Sequence, residues 1–167
     1  MSEDWEKELK GFKEQAEKDT TEMCTKEREL HDKYGPDKKK ILDLIQSQLE
    51  PVVKTFRDES GDKIDQPGIE RYESGIRLKL PLVHESTHYG LALSFNLSLT
   101  ESGWMVNVKQ DLFDSKNEKA YSTLESIPSP VDLEAVRGMI RGFIESRSQL
   151  INRLEEKSER YRREHGI

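Results

Sequence analysis

The chain has 167 residues, of which 33% are hydrophobic and 36% are charged, and its formal net charge is −6. This length suits one domain, and the negative charge argues against a nucleic-acid surface that works by counterion release. No stretch approaches the roughly 20 apolar residues of a membrane span, and no apolar secretion signal follows Met1. The single cysteine, Cys24, fits a reducing compartment. We therefore expect a soluble, cytoplasmic protein.

The first segment carries a narrow apolar seam that predicts an amphipathic helix. Its apolar residues alternate at intervals of four and three when polar Asp19 and Lys26 fill two seam positions: Trp5, Leu9, Phe12, Ala16, Met23 and Leu30. A stripe this narrow stabilises a helix only when it lies against another surface. The seam therefore predicts a coiled-coil-like contact.

A second helix is expected after the Tyr34-Gly35-Pro36 stop signal. Its apolar face is broader, and Pro51 should kink or divide it. The two helices predict an N-terminal helical hairpin over residues 1–57. Residues 58–75 are rich in Asp, Gly and Ser, so they are predicted to form a linker or long loop.

Residues 76–127 change to a period of two, which predicts an antiparallel β-meander. Three segments alternate strictly between large apolar and smaller or polar side chains: 76–82, 91–99 and 104–109. Turn chemistry at residues 100–103 should join the second and third segments as a hairpin.

The hairpin register can be inferred from the apolar side chains. Placing Leu99 opposite Trp104 also places Phe95 opposite Val108, so every large apolar residue lies on one face. The other face then presents small, uncharged polar residues that suit contact with a partner: Ser94, Asn96, Ser98 and Asn107.

Residues 128–167 are predicted to form a long C-terminal helix, with Ser129 as N-cap and Pro130 at the first helical position. Leu150 and Leu154 extend its apolar face. The predicted fold class is α+β, with the whole chain forming one composite domain. The terminal helices are expected to pack against each other or against copies from another subunit.

One segment resembles a catalytic motif, because His84-Glu85-Ser86-Thr87-His88 matches HExxH. On a helix this spacing holds zinc between two imidazoles, with the glutamate as general base. Pro81, Gly90 and the alternating segments on both sides instead favour a loop between the first two strands, with solvated histidines.

The predicted register nevertheless keeps a metal site open as an alternative. It places Asp111 and Asp114 at the same end of the sheet as His84 and His88, where two imidazoles and a carboxylate could converge on zinc. Glu85 would then be the general base of a zinc-dependent hydrolase.

The leading functional hypothesis is a non-enzymatic protein–protein interaction or scaffold protein without a cofactor, forming a homo-oligomer through its terminal helices. Its contact residues would be Trp5, Leu9, Phe12, Leu150 and Leu154, together with the polar sheet face. Nucleic-acid binding through the C-terminal helix is a weaker alternative, because arginines such as Arg137 and Arg160 alternate there with glutamates.

Overall fold

The computed structural model describes residues 2–59, 66–113 and 119–167. These residues form the predicted α+β arrangement, with two N-terminal helices, an antiparallel sheet and a long C-terminal helix. The elements in chain order are α1 (Ser2–Tyr34), α2 (Asp37–Phe56), β1 (Gly68–Tyr72), β2 (Gly75–Lys79), β3 (Leu82–His84), β4 (Thr87–Thr100), β5 (Gly103–Phe113), β6 (Lys119–Ile127) and α3 (Leu133–His165).

The long β4–β5 hairpin forms the centre of the sheet, whose strand order is β1-β2-β4-β5-β6, with β3 paired to β4. Leu99 lies opposite Trp104 and Phe95 opposite Val108, so the predicted register is confirmed. Alternation fixes this register because a slip by one residue would turn every large apolar side chain to the other face.

The sheet has six strands in the described residues, whereas a meander of three strands was predicted. β1 lies inside the segment predicted to be a linker, and β3 and β6 are further additions. Between β1 and β2, a side chain at Gly75 would come within 2.4 Å of the Phe95 carbonyl oxygen. The glycine therefore permits the close approach of this turn to β4.

Two helices cover the apolar face of the sheet. Their buried residues recur every three or four positions: Leu42, Ile45, Leu49 and Val53 from α2, and Val136, Ile140 and Phe143 from α3. They pack into one cluster with the inward-facing residues of β2, β4 and β5. The predicted division at Pro51 does not occur, since α2 continues to Phe56 with Pro51 on its exposed side.

The N-cap of α3 is Asp132 rather than the predicted Ser129. The Asp132 carboxylate accepts a hydrogen bond of 3.1 Å from the backbone N–H of Glu134. Aspartate satisfies the free amide groups of a first turn and its negative charge suits the helix dipole, so the helix begins at Leu133.

α1 contacts the rest of the fold chiefly at its C-terminal end. The Trp104 indole Nε1 donates a 2.7 Å hydrogen bond to the Tyr34 carbonyl oxygen, and the Tyr34 hydroxyl donates one of 3.3 Å to the Glu101 carbonyl oxygen. α1 does not lie along α2 as a helical hairpin or along α3; its main contacts are with β4 and β5. None of the described helices is apolar over a length that would cross a membrane.

Replacing Phe143 with alanine should lower the free energy of unfolding by about 3–5 kcal/mol, because the ring is 2% exposed and its loss leaves a cavity. The same change at Tyr161, which is 55% exposed on the same helix, should cost less than about 1 kcal/mol. Urea unfolding followed by circular dichroism measures both. Equal losses would contradict the packing of α3 on the sheet.

Candidate functional site

The seam of α1 holds four of the nine large hydrophobic side chains that are exposed among the described residues. α1 spans 33 residues and has none that is buried. Its large seam residues are Trp5, Leu9, Phe12 and Met23, which are 57%, 45%, 61% and 63% exposed. The predicted helix is confirmed, and none of these four seam residues is buried against another described part of the chain.

The two leucines predicted to join this seam from α3 are placed differently. Leu150 packs against the hydrophobic core and is half-buried. Leu154 is also half-buried and lines a crevice beside the β3–β4 turn. Both therefore contact their own chain, because α3 lies across the sheet for much of its length.

The four predicted polar residues do share the sheet face opposite the core. The Arg77 Nε donates a 3.0 Å hydrogen bond to the Ser94 hydroxyl, and the Tyr72 hydroxyl donates to the Asn96 side-chain oxygen. On the next strands, the Asn107 amide donates to the Ser98 hydroxyl at 3.0 Å, and Ser126 donates to the Asn107 side-chain oxygen at 3.0 Å.

These hydrogen bonds explain why this face carries small polar residues, and the explanation needs no partner protein. At its edge, Lys79 lies 2.6 Å from Glu70, and this hydrogen bond lowers the pKa of the Glu70 carboxyl. Burial raises the pKa of the Tyr72 phenol, so its hydroxyl remains a donor at neutral pH. The face therefore supports the sheet, and its predicted role in partner binding stays a prediction.

The HExxH segment forms a hairpin turn rather than a helix. His84 ends β3 and lies opposite Thr87, while His88 lies opposite Val83. Glu85 and Ser86 form the two-residue turn, with φ values of 47° and 69°. Positive φ at both central residues is typical of the type I′ turn that closes two-residue hairpins.

This geometry separates the two imidazoles. Neighbouring positions on a strand point to opposite faces, so His84 and His88 lie on different sides of the hairpin. His84 is half-buried on the side of α3, and His88 is exposed. The helical spacing that makes HExxH a zinc motif is absent.

The predicted carboxylates do not complete a metal site within the described residues. Asp111 is 7% exposed and lies opposite Ala92, which is four residues, or about 13 Å, along β4 from His88. Asp114 lies outside the described residues. In the ranges described, no group of three or more His, Cys, Asp or Glu side chains is arranged to hold a metal ion.

Glu85 contacts α3 instead of a metal. The Arg162 guanidinium donates a 2.8 Å hydrogen bond to the Glu85 carboxylate, and both side chains are more than half exposed. An exposed pair of this kind stabilises by less than about 1 kcal/mol. The turn and the end of α3 enclose an open crevice of about 290 Å³ lined by residues that include His84, Tyr89 and Tyr161.

Several basic residues of α3 lie close to acidic ones. Arg137 lies 3.2 Å from Glu134, and Arg163 lies 3.9 Å from Glu159. These pairs within the helix match the alternation of charge in the sequence. No described feature of α3 favours the nucleic-acid alternative.

A cleft of about 340 Å³ between α3 and strands β4 and β5 was not predicted. Its walls are apolar at Leu91, Phe143 and Leu150, and Gln110 and Arg153 add polar groups. Gln110 lies opposite Leu93 on the apolar face of the sheet. In the sequence, the signal of this cleft was Gln110, a polar residue at a position of the alternating pattern that points toward the apolar face.

The turn geometry predicts that replacing serine with glycine has opposite effects on stability at positions 86 and 148. Ser86→Gly should stabilise the protein by about 0.5–1 kcal/mol, because glycine removes the cost of a positive φ. Ser148→Gly, at an exposed position inside α3, should destabilise it by about 0.5 kcal/mol. Thermal unfolding of both variants measures the sign. Destabilisation by Ser86→Gly would contradict the hairpin turn.

Comparison of the chain with protein-family models, with curated proteins and with solved structures finds no significant match.

Proposed function

We propose that the protein is a non-enzymatic protein–protein interaction module that self-associates through the seam of α1. One observation carries the proposal: a helix of 33 residues has no buried residue, while Trp5, Leu9, Phe12 and Met23 remain about half exposed or more. The zinc hydrolase and nucleic-acid alternatives have no comparable support in the described geometry.

The contrast with the other helices supports this proposal. α2 and α3 bury their apolar stripes on the sheet, whereas α1 has no buried residue against the described part of the chain. Most helical stability in proteins comes from packing of an apolar face. Since α1 is tied to β5 only near Tyr34, its N-terminal turns gain stability from a partner helix.

The area available sets the strength of the contact. Full burial of a large apolar side chain contributes about 1.5–3 kcal/mol, and the seam residues have about half of that still to gain. Four such residues from each of two chains give a gross gain of about 8 kcal/mol, which is within the range of association costs. We therefore expect a dimer that dissociates on dilution.

The polar seam positions favour an antiparallel pair. A parallel pair in register would place Asp19 against the partner's Asp19 and Lys26 against the partner's Lys26, which brings like charges together. An antiparallel overlap of residues 5–23 places Met23 against the partner's Trp5 and leaves Lys26 outside the contact.

The charges beside the seam favour the parallel orientation by a small amount. A parallel pair brings Glu8 to the partner's Lys13, which is favourable, and Glu22 to the partner's Glu27, which is not. An antiparallel pair instead brings Glu8 to the partner's Glu22. Exposed pairs contribute less than about 1 kcal/mol, so the seam residues decide. The antiparallel pair also keeps the two sheets at opposite ends.

Replacing both Leu9 and Phe12 with glutamine should abolish self-association, because it removes two seam side chains and preserves helix propensity. The matched control replaces Lys7 and Glu14 with glutamine, which changes the opposite side of α1 and leaves the net charge unchanged. Sedimentation velocity over a range of concentrations measures the monomer–dimer equilibrium.

The parent chain and the control should show the same concentration-dependent dimer, and the seam variant should remain monomeric. A monomer at every concentration for the parent chain would overturn the proposal. Equal association of the two variants would show that the seam is not the contact.

The single cysteine provides a test of orientation. Cys24 is exposed on α1 and can carry a nitroxide label. In the antiparallel pair the two labelled positions are offset by 20 residues along the helices, or about 30 Å, whereas a parallel pair in register places them within about 20 Å. Pulsed electron paramagnetic resonance measures this distance. A short distance would contradict the antiparallel arrangement.

A further inference from the structure

Arg147 occupies a position where the sequence pattern calls for an apolar residue. It follows buried Phe143 by one helical turn and precedes Leu150, which packs on the core. Its guanidinium carbon lies 5.5 Å from the centre of the Phe56 ring on α2. The cation is therefore held between two helices on the side that faces the core.

The Arg147 side chain is only partly compensated there. Its Nε atom is buried and has no hydrogen-bond acceptor among the described residues. Burial lowers the pKa of the guanidinium, because the charged form loses water. The contact with the Phe56 ring contributes attraction, but a half-buried cation whose Nε has no acceptor remains costly.

A cleft of about 270 Å³ opens beside this guanidinium. It lies between the end of α2, the connection from β2 to β3, and α3. Its walls include Phe56, Leu80, Pro81 and Leu82, and Asp58 also lines it. The cleft thus combines an apolar body with the side chain of a half-buried arginine.

We infer that this cleft binds a small monocarboxylate with an apolar body, whose carboxylate pairs with the Arg147 guanidinium. The planar guanidinium offers two parallel donors that match the two oxygens of a carboxylate. The apolar walls select a hydrocarbon or ring behind that group. Inorganic phosphate has no apolar part to fill these walls, so it should bind more weakly than an aromatic carboxylate. The inference does not depend on the role of α1.

Benzoate is a suitable probe, and benzamide is its neutral counterpart of the same shape. Titration of the full chain is followed by two-dimensional ¹H–¹⁵N NMR. Benzoate should give saturable shifts in residues that line the cleft, and benzamide should bind at least tenfold more weakly. Inorganic phosphate should not compete.

Arg147→Met should abolish benzoate binding while leaving the amide spectrum folded. The matched control is Arg141→Met, which removes an exposed arginine from the same helix and should bind benzoate like the parent chain. If Arg147→Met fails to fold, Arg147→Lys keeps the charge without the planar pair of donors, and it should bind at least fivefold more weakly.

Absence of saturable shifts in the parent chain would overturn the inference. Equal binding of benzamide and benzoate, or benzoate binding that survives in the Arg147 variant, would overturn the role of the guanidinium. Competition by phosphate as strong as that by benzoate would overturn the assignment to carboxylates.

Discussion

The pairing of β4 with β5 is the constraint on which the rest of the fold depends. Eleven pairs of residues lie opposite each other in this hairpin, and they set Phe95, Leu97 and Val108 on one face. That face must be covered, because exposed apolar area of this extent is costly in water. Two amphipathic helices, α2 and α3, supply the cover, and short strands extend the sheet on either side.

The same constraint explains why α1 does not pack along the sheet. The sheet has one apolar face, and α2 and α3 already occupy it, while the opposite face is linked by hydrogen bonds between polar side chains such as Asn96 and Asn107. α1 therefore touches the sheet only through its last turn, where Trp104 binds the Tyr34 carbonyl oxygen. A helix whose apolar seam is left exposed by the described residues is the basis for the proposed self-association.

The HExxH segment and Arg147 show that a local sequence pattern does not fix the environment of its residues in the fold. The spacing of His84 and His88 has chemical meaning on a helix, but in a hairpin it sends the imidazoles to opposite faces. By composition alone, Arg147 is one of many arginines on a charged helix. Its position after Phe143 places it in the apolar stripe, so packing rather than composition gives it an unusual environment.

The sequence by itself determined the α+β class, the extent of the early helices and the register of β4 with β5, because strict alternation over many residues leaves one way to bury the large side chains. Only the tertiary structure decided the rest. β1 has a single strongly apolar inward residue, Ile69, so its pairing with β2 depends on the neighbouring strand. Likewise, separation of the two histidines, exposure of the α1 seam and the half-buried position of Arg147 depend on which surfaces meet. Contacts between distant segments leave no local period in the chain.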